Sequence, residues 1–169
     1  MTLSKLSKTG LVLSIFSIIA GAVVRATGSG DGCGSSWPSC NGRVIPSLNS
    51  ASEQIEFSHR AISGLLLIVT LAIFIKSFDP SVTSTQKKVI NYLTFFVLLE
   101  ALIGAVIVLY EWVGLNSSLP RIIAVPIHLV NTFGLLACYA VLYKVLLNNF
   151  KNIKQLWDRR FVFVAFLFL

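Results

Sequence analysis

The side chains able to do chemistry in this sequence gather in a few short stretches. Its two histidines are His59, in IEFSHR, and His128, in PIHLVN. Imidazole is the commonest metal ligand among side chains, although a lone His at a membrane interface is more often no ligand at all. Glu56 precedes His59 by three residues, so a helix running through both puts carboxylate and imidazole on one face. Such a carboxylate can move protons or stabilise positive charge on a reacting carbon; the alternative is a helix-start acid favoured by the helix dipole. Arg60 follows directly, suited to an acidic group of a ligand or to snorkelling towards lipid headgroups. A separate stretch, GSGDGCGSSWPSCNGRVIP from Gly28 to Pro46, holds Cys33 and Cys40.

These residues sit between long apolar runs that must position them. Hydrophobic residues make up 55% of the 169-residue chain and charged residues 12%, with twelve Phe, far from the balance of a soluble domain. Four runs reach the roughly 20 residues that a bilayer-crossing helix needs: Lys8 to Thr27, Phe57 to Lys76, Val89 to Val113 and Ile122 to Leu147. The expectation is an all-α integral membrane protein, a four-transmembrane-helix bundle over residues 1–147. A basic linker follows from 148 to 160. The nine residues FVFVAFLFL, Phe161 to Leu169, are too short to span and read as the start of a fifth transmembrane helix or as a surface tail. The first run is too long for a removable signal peptide and lacks its small-residue cleavage site.

With the N-terminus cytoplasmic, ten of the fourteen Lys and Arg fall on the inner side, leaving Arg25, Arg43, Arg60 and Arg121 outside. The net charge of +7 is therefore a topology signal carried by inner loops, and nucleic acid is not an expected partner. This orientation puts the loop from about Gly28 to Glu56 on the outer side, where disulfides persist. The intervening GSSWPS carries a glycine and a proline that let the chain turn back, which favours a Cys33–Cys40 bridge. Two separate loop thiols are the alternative, and zinc would want a His or a further Cys nearby. Cys138, in the fourth run, reads as a small core hydrophobe.

Both histidines come near the outer ends of their helices, His128 about six residues and roughly 9 Å into the fourth. The second and fourth helices enter from the same side. Their imidazoles can therefore share a depth on facing helices, which is how a bundle builds a haem or metal site. Haem iron accepts His from either face, and the flat macrocycle fits between helices faced with small residues, here Gly64, Gly134 and Ala137. A zinc site would want more hard or thiolate ligands. Arg60 then suits a haem propionate. Glu100, mid-helix in LLEALIGA, carries an insertion cost of about 2.5 to 3.5 kcal/mol if ionised, so it is expected to face the bundle interior, as a structural hydrogen-bonding group or a proton carrier. AGAVV from Ala20 to Val24 is echoed by IGAVI from Ile103 to Ile107, each followed by an outer loop and a helix with its His near the outer end. Two hairpins so related would place the histidines symmetrically about one site.

In combination, GAVVRATGSGDGCGSSWPSCNGRVIP, IEFSHR and PIHLVN resemble the amino-terminal half of haem A synthase, over about residues 10 to 147. The resemblance implies an eight-helix oxidoreductase of the inner (plasma) membrane, built of two similar four-helix halves, that converts a methyl group of haem O into the formyl group of haem A. It implies that His59 and His128 are axial ligands of the substrate haem and that Glu56 is the carboxylate implicated in catalysis. It implies further that Cys33 and Cys40 form an outer-loop disulfide assisting haem handling. Haem O synthase and cytochrome oxidase assembly factors are the partners that such a role suggests.

This sequence departs from that pattern in two ways. The family's rear half carries a second His pair binding haem b, and no histidine is left here for one. The second haem is therefore expected in a second copy or a second half, and FVFVAFLFL after NNFKNIKQLWDRR favours truncation, in which case the chain would be inactive alone. Glu100 stands where a neutral polar residue is expected. Two rival classes remain: a four-helix bis-His haem b electron-transfer cytochrome, and a thiol oxidoreductase using Cys33 and Cys40 with a quinone. The latter would want a second cysteine pair, and Cys138 alone remains.

Overall fold

The computed structural model describes residues 2–114 and 116–148. They form four long helices, α1 (Leu3–Thr27), α2 (Ala51–Lys76), α3 (Ser84–Leu109) and α4 (Leu119–Asn148), with a single 3-10 turn at Ser29–Asp31. Among the described residues there is no strand. Each helix is long and apolar enough to cross a membrane, and the chain is a multi-pass membrane protein. The basic linker and the Phe161–Leu169 tail lie outside the described residues.

The first three helices begin five or six residues ahead of their apolar runs because polar caps set the start. Thr2 accepts the Lys5 N–H and Ser50 accepts the Glu53 N–H, each at 3.3 Å. At α3, Thr83 accepts the Gln86 N–H while the Gln86 side chain returns to the Thr83 N–H, a reciprocal capping box. α1 stops at Gly28, whose φ of +66° is a left-handed conformation that L side chains avoid, with its N–H turned back to the Arg25 and Val24 carbonyls.

α1 packs chiefly on α2 and α3 on α4, and the α1·α4 and α2·α3 contacts close the ring. Leu66, Val69, Ile73, Ile90, Leu93, Leu135, Tyr139 and Leu142 form the buried core, at the end of the bundle away from the disulfide loop. Tyr139 and Thr70, both fully buried, join α4 to α2 through a 2.7 Å hydrogen bond. Gly10 of α1 lies directly on the Tyr139 ring, where any Cβ would collide. Ile15, Phe16, Ile68, Phe95, Leu102 and Ile127 face outwards, apolar surface that lipid tails accept without the penalty water would impose.

Candidate functional site

His59 and His128 stand on α2 and α4, the two helices tied together by Thr70 and Tyr139. Each histidine rests on a glycine of the preceding helix. A Cβ on Gly21 would stand 3.1 Å from His59 Cε1, and one on Gly104 would stand 3.5 Å from His128 Cε1. Those glycines are the second residues of AGAVV and IGAVI, so the weak sequence echo marks the spot where each hairpin admits its imidazole. One turn deeper the hairpins match again. Ser17 and Ser63 share a 2.8 Å hydrogen bond between α1 and α2, and Glu100 with Thr132 forms the corresponding link between α3 and α4.

Nδ1 of each imidazole is buried with no hydrogen-bond partner, and Nδ1 of His128 lies 3.4 Å from Glu100 Oε1. With Nδ1 turned into protein, Nε2 is the nitrogen of each ring left to serve a ligand in the cavity.

Both histidines line one cavity of about 950 Å³, at the upper end of the roughly 300–1,000 Å³ usual for small-molecule and cofactor sites. Its walls are mainly apolar, from Ile18, Leu67, Val97, Val125 and Leu129. Gly64 opens onto it, since a Cβ there would meet nothing within 4 Å. Gly134 serves a different purpose from the expected one: a Cβ on it would stand 2.8 Å from Phe96 Cε1, so it lets α3 and α4 pack closely. A large apolar slot between small residues, with two orphaned imidazoles on its walls, fits a flat iron macrocycle held by His59 and His128.

The mouth of the cavity carries most of its charged residues, Glu100 lining it deeper. α2 begins early enough for Glu56 to lie a turn before His59, and the carboxylate is buried, 3% of its surface exposed. Its Oε2 accepts the Cys33 N–H at 2.8 Å and its Oε1 accepts from Arg60 Nε at 3.1 Å. The Arg60 guanidinium also donates to the Ser39 carbonyl at 2.6 Å and the Ser36 carbonyl at 2.5 Å. Arg60 lines the cavity while fastening the loop to α2, and any ligand carboxylate would share it with those acceptors. Arg25, Arg121 and Trp37 line the same mouth.

Cys33 and Cys40 form a disulfide, both residues fully buried. The loop they pin rests on a carboxylate the sequence reading passed over, Glu53, which accepts from Arg43 Nη2 at 2.8 Å, the Ser47 N–H at 2.8 Å and Asn41 Nδ2 at 3.2 Å. Its signal was Ser-x-x-Glu from Ser50 to Glu53, a helix-start pattern inside what reads as loop. The first loop also meets the second, for a Cβ on Gly114 (φ +56°) would stand 2.8 Å from Asp31 Oδ2. Among the described residues, no three His, Cys, Asp or Glu gather as a metal-binding group.

These features define a four-helix membrane bundle with a paired-imidazole site beneath a disulfide-pinned loop. A family model described as cytochrome oxidase assembly protein matches residues 5–169, and the chain belongs to this family, that of the haem A synthases. It is 40% identical over 132 residues to a protohaem IX farnesyltransferase of Thermus thermophilus, covering 78% of this chain and 22% of that protein. It is 39% identical over 109 residues to a haem A synthase of Macrococcus caseolyticus, covering 64% of this chain and 36% of that protein. To a haem A synthase of an Exiguobacterium species it is 41% identical over 97 residues, covering 56% and 32% respectively. The matched part thus spans 22% to 36% of these relatives' length. No solved structure matches the chain.

Proposed function

We propose that this chain forms the substrate-haem half of a haem A synthase, holding haem O while its methyl group is oxidised to the formyl group of haem A. The observation that carries the reading is the cavity itself, with His59 and His128 on two helices in register and Glu56 at its mouth. When bound, the haem supplies the redox chemistry that an unactivated methyl group needs. His59 and His128 are the residues that would hold its iron. Glu56, kept in place by the Cys33 amide and Arg60, presents negative charge at the mouth, where it stabilises positive charge on the reacting carbon or receives a proton. Arg25 and Arg121 offer cations to the ligand's carboxylates at the same level. The disulfide-pinned loop closes the mouth and limits access of water.

Electrons leaving this site need an acceptor, and a second histidine pair binding haem b, in a second half or a second copy, is the one the family pattern suggests. The loop end faces the outside of the inner membrane, as the distribution of Lys and Arg indicates. The name of the Thermus relative fits a place beside haem O formation, the step that supplies this substrate. The test is haem extraction and mass identification from the purified chain after expression in cells that make haem O. Bound haem O or haem A supports the reading; haem b alone points to an electron-transfer cytochrome instead.

A further inference from the structure

The two hairpins are alike at the histidines but differ in what stands behind them. Four residues before Gly21 is Ser17, and four residues before Gly104 is Glu100; four residues after His59 is Ser63, and four after His128 is Thr132. The same place in the two hairpins therefore holds a neutral hydroxyl pair behind His59 and a carboxylate with a hydroxyl behind His128.

Glu100 is tightly held. Its Oε2 accepts from Asn131 Nδ2 at 2.6 Å, and that amide also donates to the Phe96 carbonyl at 2.9 Å. Its Oε1 is bonded to the Thr132 hydroxyl, which also lies 2.9 Å from the His128 carbonyl, so one hydroxyl proton serves two acceptors. The same Oε1 is the polar atom 3.4 Å from His128 Nδ1, and that nitrogen has no other partner. An N–H···O bond prefers about 2.9–3.0 Å, so a shift of a few tenths of an ångström closes it. Catalytic and ligand hydrogen bonds commonly tighten in this way when the ligand arrives.

We propose that Glu100 is a positioning residue for His128, receiving its Nδ1–H and making it the more strongly donating of two unequal iron ligands. The proposal rests on reading His59 and His128 as a haem pair. A ligating histidine usually gives its second N–H to a carboxylate, carbonyl or water, which fixes the tautomer and ring plane and raises the basicity of the ligating nitrogen. With a carboxylate behind one ring and only neutral acceptors, the Ser17 carbonyl and the hydroxyl pair, behind the other, His128 Nε2 stabilises the oxidised iron more than His59 Nε2 does. The result is a lower reduction potential than a symmetric pair would give. This gives the mid-membrane carboxylate, costly to insert, a task at the site.

The experiment uses the whole chain purified in detergent and loaded with protohaem, with the midpoint potential read by spectroelectrochemistry. Glu100→Gln raises the midpoint at unchanged haem content, and Glu100→Asp, which withdraws the charge by one methylene, gives an intermediate value. Thr94→Val, which alters another buried α3 hydroxyl bonded to its own helix, leaves the midpoint where it was. A Glu100→Gln midpoint equal to that of the unaltered protein overturns the proposal. If that variant does not accumulate, nitrogen hyperfine couplings of the ferric unaltered protein decide: unequal axial imidazoles support the proposal and equal ones overturn it. Failure of the unaltered protein to take up protohaem overturns this assignment together with the haem-pair reading, whereas an unchanged midpoint overturns this assignment alone.

Discussion

Thr70 and Tyr139 hydrogen-bond at 2.7 Å, and each stands eleven residues beyond the histidine of its own helix. At 1.5 Å per residue both histidines are about 16 Å from this bond, which places them at one depth on parallel α2 and α4. The Thr70 hydroxyl also donates to the Leu66 carbonyl at 2.8 Å, so Tyr139 is the donor in the shared bond. Removing Tyr139's hydroxyl leaves Thr70 with a use for its proton, whereas removing Thr70's leaves a buried phenol unpaired. Tyr139→Phe should therefore cost about 0.5–1.5 kcal/mol and Thr70→Val about 1–3 kcal/mol, the second being the price of an unsatisfied group. Unfolding in detergent measures both, and a Thr70→Val protein more stable than Tyr139→Phe would refute the donor assignment.

The two glycines under the histidines should respond differently to a methyl group. At Gly21 the added Cβ would stand 3.1 Å from His59, tighter than ordinary contact, while at Gly104 the distance to His128 is 3.5 Å. Gly21→Ala is expected to displace His59 and lose most of the low-spin bis-His absorption of the haem-loaded protein. Gly104→Ala should keep it. Equal spectra in the two variants would show that neither glycine sets the imidazole position.

The loop should be held by Glu53 as much as by its disulfide. Both cysteines are fully buried, so a reductant reaches them only when the loop opens. Glu53→Ala removes the acceptor for Arg43, Asn41 and the Ser47 N–H, and so eases opening of the loop. Reduction of Cys33–Cys40 by dithiothreitol, followed by thiol labelling, should then run severalfold faster, because the loop opens more often. A rate unchanged from the unaltered protein would mean that the loop is secured elsewhere.

Apolar run length was enough to read the four helices, because a bilayer demands about 20 apolar residues whatever lies around them. It could not place their starts, since Thr2, Ser50 and Thr83 cap polar turns that lie ahead of the apolar runs. The histidine pair was visible because two imidazoles at equal depth are rare in so apolar a chain. The glycines beside them were visible only as an echo of AGAVV in IGAVI, because which way a small residue points depends on helix phase in the packed bundle. That is why Gly134, chosen for a haem-facing wall, turns out to seat Phe96. Periodicity says nothing about loop backbone, so the Ser36 and Ser39 carbonyls that engage Arg60 had no signal at all.

Glu56 has two tasks that substitution can separate. Its carboxylate accepts the Cys33 N–H at 2.8 Å and pairs with Arg60, so Glu56→Ala strips the loop of an anchor as well as removing charge from the cavity mouth. Glu56→Gln keeps a carbonyl for the Cys33 amide and removes the charge. If the carboxylate acts on the reacting methyl, both variants should retain bound haem and form no haem A, in cells where the unaltered chain supports haem A formation. If it serves only the loop, the glutamine variant should make haem A at close to the normal yield, because the amide contact survives. Extracted porphyrins, separated and quantified, give both readouts from one sample. Normal haem A yield in Glu56→Gln would remove the catalytic role and leave Glu56 as the strut between the disulfide loop and α2.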